Sequence, residues 1–312
     1  MDMIDNPNIN DLLDQASRCG LQLDPASAKI NESGLDFQAM FADTADGVPW
    51  VIRRPRRLDV IDSADYESKV LHLIRNKLPV QVPDWKVHTA DLIAYPMLEG
   101  VPAASINAQT KSYDWVINPQ SLSAVFVQSL AAAMAALHRI NHEEAASAGI
   151  RVLQPDEARR TLSIRMDRVK ANFGVSHALW QRWQAWTSDD SFWPEHSSLV
   201  HGDLHPGHIL INPDEKVTGL LDWTEAEVAD PAADFAIYCA CFGEPALEDL
   251  IEHYRTAGGR VWPRMQEHIV ETLAAYPVLI ALFALKSGLP DYMEMARGAL
   301  GVDENGEDLP AQ

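Results

Sequence analysis

The residues of this chain best suited to chemistry lie within one short segment, H-G-D-L-H-P-G-H, from His201 to His208. I-L-I-N follows directly, and G-L-L-D-W, ending at Trp223, comes soon after. An apolar strand running into a loop thus delivers Asp203, then a metal ligand at His208 and, one hairpin later, a second carboxylate at Asp222. Phosphoryl transfer from a nucleotide needs that set: one carboxylate to take a hydroxyl proton and two oxygen or nitrogen ligands for Mg²⁺. In this reading Asp203 is the base, His208 and Asp222 hold the metal, and His205 orients the loop or contacts a phosphate. A second reading makes His201, Asp203, His205 and His208 a zinc cluster for hydrolysis, since imidazole suits zinc better than Mg²⁺. No further His set follows at metal-site spacing, and that reading leaves Asp222, Arg53 and Glu67 without a role.

The elements that must position these groups are short. S-L-V before His201 reads as a buried strand. H-I-L-I-N and K-V-T-G-L-L-D read as two strands turning at Pro213-Asp214, which returns Asp222 beside Asp203. In D-P-A-A-D-F-A, Asp230 to Ala236, Pro231 starts a helix that Asp230 caps. Asp234, one turn in, is placed to brace the catalytic loop by accepting backbone N–H bonds; an exposed first-turn Asp is the ordinary alternative.

Upstream the chain changes character near residue 98, from short strand-like runs to helical periodicity. A helix over Asp11–Leu21 ends at Gly20. Strands follow over Ala28–Asn31, Phe37–Asp43 and Trp50–Arg54, with a turn at Asp46-Gly47 and a stop at Pro55, the pattern of an antiparallel sheet. A polar helix from Ser63 to Arg75 turns Val70, Leu71 and Ile74 inward. Runs over Trp85–Thr89 and Leu92–Met97 complete this lobe. Arg53 on the third strand and Glu67 on the helix would pair and reach the α- and β-phosphates of a nucleotide; a solvated R-R-P-R-R turn is the plain alternative. No G-x-G-x-x-G is present, and the loop N-E-S-G-L-D has only Gly34, so backbone amides from Ser33 to Asp36 would cradle the phosphates. The connector Ala94 to Gly100, with Tyr95 and Met97 around Pro96, would offer backbone groups to a purine edge.

Downstream, Ser123–Arg139 reads as an Ala-rich amphipathic helix whose His138 is a packed or capping residue. Pro155–Phe173 reads as a helix with Asp156 and Glu157 in its first turn. Tryptophans at 180, 183 and 186 form a core stripe.

Composition sets outer bounds. The 312 residues are 47% hydrophobic and carry 25 basic against 45 acidic residues, a net charge of -20. That is enough chain for a sizeable core in two lobes. The acidity argues against a nucleic-acid partner and agrees in sign with a cationic substrate. Cys19, Cys239 and Cys241 form no metal or disulfide framework. The start M-D-M-I-D-N lacks a signal-peptide pattern. The apolar run Val278–Leu285 is too short to span a bilayer. A cytoplasmic protein without a membrane partner is expected.

Read together, these residues resemble the aminoglycoside phosphotransferase branch of the protein-kinase fold, and within it the macrolide 2′-phosphotransferases. The matching segments include N-E-S-G-L-D-F, W-V-I-R-R-P-R-R, A-Y-P-M-L-E, V-H-G-D-L-H-P-G-H-I-L-I, L-L-D-W-T-E-A-E-V-A-D-P-A-A-D and A-G-G-R-V-W-P-R. H-G-D and D-P-x-x-D specify only the broad group. His208, where kinases place Asn, narrows the resemblance together with the two arginine-bearing segments. The resemblance implies an α+β, kinase-like, two-lobed fold: residues 1–97 an antiparallel sheet with a helix that binds the nucleotide, residues 98–312 a mostly helical catalytic and substrate-binding lobe. It implies phosphorylation of the 2′-hydroxyl of an amino sugar on a macrolide such as erythromycin, with Mg²⁺ and GTP, or ATP, as co-substrate. Arg53 stands where kinases use Lys, which spreads the charge over a planar fork. A macrolide calls for a greasy wall with carboxylates at one end. Phe242, Tyr276, Leu279, Ile280 and Phe283 are candidates for the wall. Trp223, Glu225, Asp230 and Asp203 are candidates to face the amino sugar. A kinase of another amino alcohol or an aminoglycoside, and a non-catalytic nucleotide-binding module, are the alternatives.

Overall fold

The first third of the chain is organised by strands whose alternate residues meet different helices. The computed structural model describes residues 8–32, 34, 36–107, 109–110 and 112–309. Helix α1 (Ile9–Arg18) opens on an Asn8/Asp11 capping box. It precedes β1 (Lys29–Asn31), β2 (Phe37–Asp43) and β3 (Pro49–Pro55), then α2 (Leu58–Ile74), β4 (Val87–His88) and β5 (Ile93–Pro96). The five strands form one antiparallel sheet in the order β1-β2-β3-β5-β4. Register puts Ala39 opposite Arg53 and Val51 opposite Tyr95. Successive side chains point to opposite faces. Met40, Ala42, Ile52 and Ala94 therefore share a face and pack with Leu12 and Ala16 of α1. Phe37, Val51, Ile93 and Tyr95 share the other and pack with Val60 and Ala64 of α2. Arg53 lies by parity on the α2 side.

Helix α2 begins at Leu58, five residues before the sequence suggests. Its N-cap, Arg57, makes no side-chain capping bond, so no Ser, Thr, Asn or Asp advertised the start. Its buried residues include Val60, Ala64, Glu67, Leu71 and Ile74. Glu67 thus occupies a helical-period stripe otherwise filled by apolar side chains.

Next come β6 (Val101–Pro102), β7 (Ala104–Ile106), β8 (Tyr113–Trp115), α3 (Ala124–His138), α4 (His142–Ser147), α5 (Pro155–Phe173) and α6 (His177–Ser188). Strand β9 (Ser198–Val200) leads to a 3₁₀ turn at Pro206–His208 and then to β10 (Ile209–Ile211), β11 (Val217–Leu220) and β12 (Glu227–Ala229). Helices α7 (Ala233–Thr256), α8 (Met265–Ala274), α9 (Pro277–Ser287) and α10 (Pro290–Leu300) complete the chain.

Two compact units result. One comprises Met1–Ala133, Glu143–Ile150 and His205–Ala226; the other comprises Met134–His142, Arg151–Leu204 and Glu227–Gln312. The units do not divide at residue 97. Val101 and Pro102 of β6 pair with Ile211 and Leu210 of β10, and Gln81 bridges Gly219 of β11. The β10–β11 hairpin and the segment after residue 97 therefore belong to the same unit as the large sheet. The chain passes from one unit to the other between Leu204 and His205, inside the H-G-D-L-H-P-G-H segment.

The second unit is mostly helical. Trp183 and Trp186 of α6, Met166 and Val169 of α5, Val278 and Ala281 of α9, and Leu300 of α10 share one core, as the tryptophan spacing suggests. Residues 265–287 are long and apolar enough by composition alone to cross a membrane. They form two helices, α8 and α9, parted at Ala275-Tyr276 ahead of Pro277. Helix α7 is broken at Gly243 (φ 82°, ψ 171°), so Phe242 precedes a kink rather than a loop.

Candidate active site

In the unit that carries the sheet, the site is built around a buried charge. Glu67 has no solvent exposure, and its carboxylate takes Arg53 Nη1 at 3.2 and 3.3 Å. The same carboxylate accepts the backbone N–H of Trp223 at 3.3 Å, one residue after Asp222. Tyr66, the neighbour of Glu67, donates its hydroxyl to Ala226 O at 2.7 Å. Helix α2 thereby holds both the strand that carries Arg53 and the segment that follows Asp222. The guanidinium also lies 3.9 Å from the centre of the Phe37 ring, a stacked cation–π arrangement. Burial works to lower the pKa of Arg53, but the charges of Glu67, Tyr95 and Asp222 outweigh it and raise the value. Burial raises Glu67, with Arg53 opposing it. We stand behind an ionised pair, because a guanidinium keeps its proton throughout the accessible range.

Asp222 has φ 61°, a left-handed conformation that Asp, like Asn, adopts more readily than most side chains. Thr224 Oγ1 donates to its Oδ1 at 2.8 Å, and Oδ2 lies 3.9 Å from His208 Nε2. His208 O accepts the Leu221 N–H at 2.9 Å, which registers the two positions across the hairpin. One imidazole nitrogen and one carboxylate oxygen at this separation fall within reach of a single ion with bonds of about 2.1 Å. The donor set fits Mg²⁺ through Asp222 and less naturally through His208. His205 Nδ1 accepts the Gly207 N–H at 3.0 Å and lies 3.3 Å from Tyr113 Oη. Accepting at Nδ1 leaves the proton of a neutral ring on Nε2, where it can be donated outward. Tyr113 comes from the β7–β8 hairpin, and its place beside His205 has no signal in the sequence.

The loop between β1 and β2 takes its shape from arginines. Arg56 donates through Nε to Gly34 O at 2.9 Å and through Nη2 to Glu32 O at 3.2 Å, and its Nη2 pairs with Glu32 Oε2 at 2.5 Å. Arg57 pairs with Asp36 at 2.6 Å and with Asp59 at 3.1 Å. Both arginines are buried, so the R-R-P-R-R segment is not a solvated turn. Gly34 has no room for a side chain, since a Cβ would meet Phe37 O at 2.6 Å. Ser33 lies outside the described residues. Arg56→Ala is expected to lower stability by about 1 kcal/mol, since the exposed acceptors on Glu32 and Gly34 regain water; a urea melt checks it. Tyr95 is buried against Val60 and Ala64, and burial pushes its hydroxyl up to about 12. Met97 is exposed, but its N–H is spent on Pro49 O at 2.8 Å, and only its carbonyl remains for a base edge.

In the helical unit, Asp203 follows β9 on a loop held from behind. Asp234 accepts the His201 N–H through Oδ2 and the Gly202 N–H through Oδ1, both at 2.9 Å. The bracing expected of Asp234 is therefore present. Its helix begins at Ala233 rather than at Pro231. His138 Nε2 lies 3.0 Å from Asp234 Oδ2, so this histidine is packed rather than idle. The Asp203 N–H reaches His201 Nδ1 at 3.3 Å. Burial works against ionising Asp234, and the hydrogen bonds from His138 and the His201 backbone still hold its carboxyl below the usual value.

Asp230 is occupied internally. Its Oδ1 accepts the Ala232 N–H at 3.0 Å, and its Oδ2 takes His268 Nε2 at 2.6 Å. His268 Nδ1 in turn accepts Trp186 Nε1 at 3.1 Å. Asp230 thus anchors the start of α7 to the tryptophan core, with one internal hydrogen bond on each carboxylate oxygen. Trp223 is fully buried, with Nε1 on Leu220 O at 3.3 Å. Glu225 is exposed. Tyr276, Leu279 and Phe283 lie three to four residues apart at the start and along one side of α9, with Leu279 45% exposed. Ile280 is half-buried against the tryptophan core and Phe242 stacks edge-on with Tyr238. Asp203 is among the charges that act on Tyr276, whose hydroxyl is raised first by burial.

Asp230 and Asp234 both have carboxyls held below 3.8 in the folded chain. The stability they contribute is full above the unfolded value and is lost as the pH falls through the lower folded one. Denaturant melts at descending pH should show that acid loss, and Asp234→Asn should make it shallower.

The sequence pattern of the phosphotransferase enzyme family matches residues 27–268. The chain is 49% identical over 294 residues to YcbJ of Bacillus subtilis (strain 168), covering 94% of this chain and 96% of that protein. Among solved structures it is similar to macrolide 2′-phosphotransferase type I, with a TM-score of 0.88 and 43% identity, covering 97% of this chain and 100% of the other. It is also similar to macrolide 2′-phosphotransferase MphH from Brachybacterium faecium, with a TM-score of 0.87 and 39% identity, covering 95% and 99%.

Proposed function

The chain belongs to the phosphotransferase enzyme family and has its kinase-like fold, and from that premise we propose that it transfers the γ-phosphate of a nucleoside triphosphate to the 2′-hydroxyl of a macrolide amino sugar. The observation that carries this reading is Glu67, buried and shared between Arg53 and the N–H that follows Asp222. A fully buried carboxylate is costly to hold unless it is paired, and here it fixes the direction of the Arg53 guanidinium and of the segment after Asp222 together. Phosphate oxygens suit the guanidinium fork. Full-length likeness to two macrolide 2′-phosphotransferases supports the acceptor. The apolar side of α9, with Leu279 exposed between part-buried Tyr276 and Phe283, supports a greasy acceptor over a polyhydroxylated one.

Each residue then has a task. Asp203 orients the acceptor hydroxyl and takes its proton as that oxygen bonds to the γ-phosphorus; the bond from phosphorus to the bridging oxygen breaks, and nucleoside diphosphate leaves with the electron pair. Asp234 fixes the loop from behind. Arg53 binds the α- and β-phosphates, with Glu67 setting its direction. The Nε2–H of His205 donates to a phosphate oxygen. Asp222 and His208 would hold Mg²⁺, which when bound neutralises charge on the phosphates. The nucleotide is GTP in this reading, with ATP the competitor, and the site of action is the cytoplasm.

Incubating the purified protein with erythromycin, Mg²⁺ and either GTP or ATP is expected to add one phosphate to the drug by mass. Phosphorylation of an aminoglycoside or another amino alcohol with every macrolide left untouched would refute the acceptor.

A further inference from the structure

The segment A-G-G-R, Ala257 to Arg260, has no role in the site described so far, and it ends on a buried tyrosine. Tyr254 is fully buried in the second half of α7. Its hydroxyl lies 2.9 Å from His138 Nδ1, and the backbone N–H of Arg260 bonds to the same oxygen. Gly259 sits directly against the ring: a Cβ there would lie 2.3 Å from Tyr254 Cε1 and Cζ. The glycine is what lets the turn after α7 close over the tyrosine.

With His138 neutral, the donor and acceptor roles along this chain of contacts follow from Asp234. Asp234 is an ionised carboxylate and only accepts, so His138 Nε2 carries the proton that bonds to it. In the neutral ring Nδ1 is then bare and must accept, so Tyr254 O–H donates to it. The phenolic oxygen is left to accept from Arg260 N–H. The order runs Arg260 N–H to Tyr254, Tyr254 O–H to His138, His138 N–H to Asp234, and Asp234 to the N–H groups of His201 and Gly202. Every link lies in the helical unit, and aligned bonds of this kind polarise one another.

We propose that Tyr254 is a positioning residue for the transfer step, acting through His138 and Asp234 on the loop that carries Asp203; this rests on the phosphotransferase reading of that loop. Held at both nitrogens, the His138 ring cannot rotate. It presents one donor to Asp234 at a fixed angle, and the carboxylate keeps both oxygens on the loop. Without the hydroxyl the ring is held at one end only.

Tyr254→Phe keeps the ring and removes the one atom the proposal needs. Amide hydrogen exchange of the protein without nucleotide or drug is expected to lose about tenfold protection at His201 and Gly202, with the rest of α7 unchanged. The kcat for macrolide phosphorylation should fall about tenfold at unchanged KM for both substrates. Gly259→Ala, which keeps the tyrosine but pushes its ring and hydroxyl away from His138, should reproduce both effects. In a His138→Gln background the ring that Tyr254 holds is gone, so adding Tyr254→Phe should cost nothing more. Unchanged exchange at His201 and Gly202 in Tyr254→Phe overturns the proposal, as does an equal further loss in the His138→Gln background. Exchange is read without any turnover, so a wild-type protein that phosphorylates no macrolide sinks the functional reading and leaves this test standing.

Discussion

Asp203→Ala is expected to lower kcat by about 10²–10⁴-fold, the range for loss of a positioned general base, with nucleotide affinity unchanged. The loop is held through the backbone N–H groups of His201 and Gly202 on Asp234 and through the Asp203 N–H on His201, none of which uses the Asp203 side chain. A melting curve on the variant checks that the fold is kept. The phosphate contacts assigned to Arg53 and His205 belong to the other unit, so nucleotide titrated calorimetrically should bind as before. Loss of binding together with turnover would mean that Asp203 acts on the nucleotide rather than on the hydroxyl. A variant with near-normal turnover would place the base elsewhere. A non-catalytic nucleotide-binding module has no turnover to lose, so the wild-type rate itself separates that alternative.

How much of this was legible before the fold was seen depends on the distance over which each decision is made. Strand β2 and helix α5 fall on the residues expected, because alternation and a Pro-Asp-Glu helix start are local signals. Asp234 was legible as a brace, since a carboxylate one turn into a helix after a Pro has few other places to point. The start of α2 was not, because Arg57 ends the preceding strand segment with pairs to Asp36 and Asp59 rather than with a cap. Trp223 and Asp230 have internal partners that their place beside Asp222 does not announce. Closeness in sequence to Asp222 suggested the substrate, whereas Leu220 O, Glu67 and His268 claim their polar atoms. Those partners lie up to 156 residues away, where no spacing rule reaches. The arginines of R-R-P-R-R were visible as a cluster, but their division of labour was not: Arg53 faces Glu67 while Arg56 and Arg57 shape the β1–β2 loop. Strand parity alone separates Arg53 from Arg54, and parity needs the register that only pairing supplies.

The largest stability effect is expected at Glu67. Glu67→Ala leaves the Arg53 guanidinium, whose side chain is only 11% exposed, without its counter-charge, and should cost about 3–5 kcal/mol. Trp223 N–H loses its acceptor in the same step. The double variant Arg53→Met/Glu67→Gln removes both charges at similar volume and keeps an oxygen for Trp223, so it should recover most of that loss, as apolar replacements of buried pairs commonly do. Function should not recover with it. If Arg53 is there to bind phosphates, the double variant folds but shows a nucleotide KM raised by about tenfold or more, the effect of losing one charge-assisted contact. If the pair only held α2 to the sheet, the double variant would be both stable and active. Urea melts alongside nucleotide kinetics on the three proteins distinguish these outcomes. The asymmetry between recovered stability and lost binding is the signature of a charge kept in the core for its ligand.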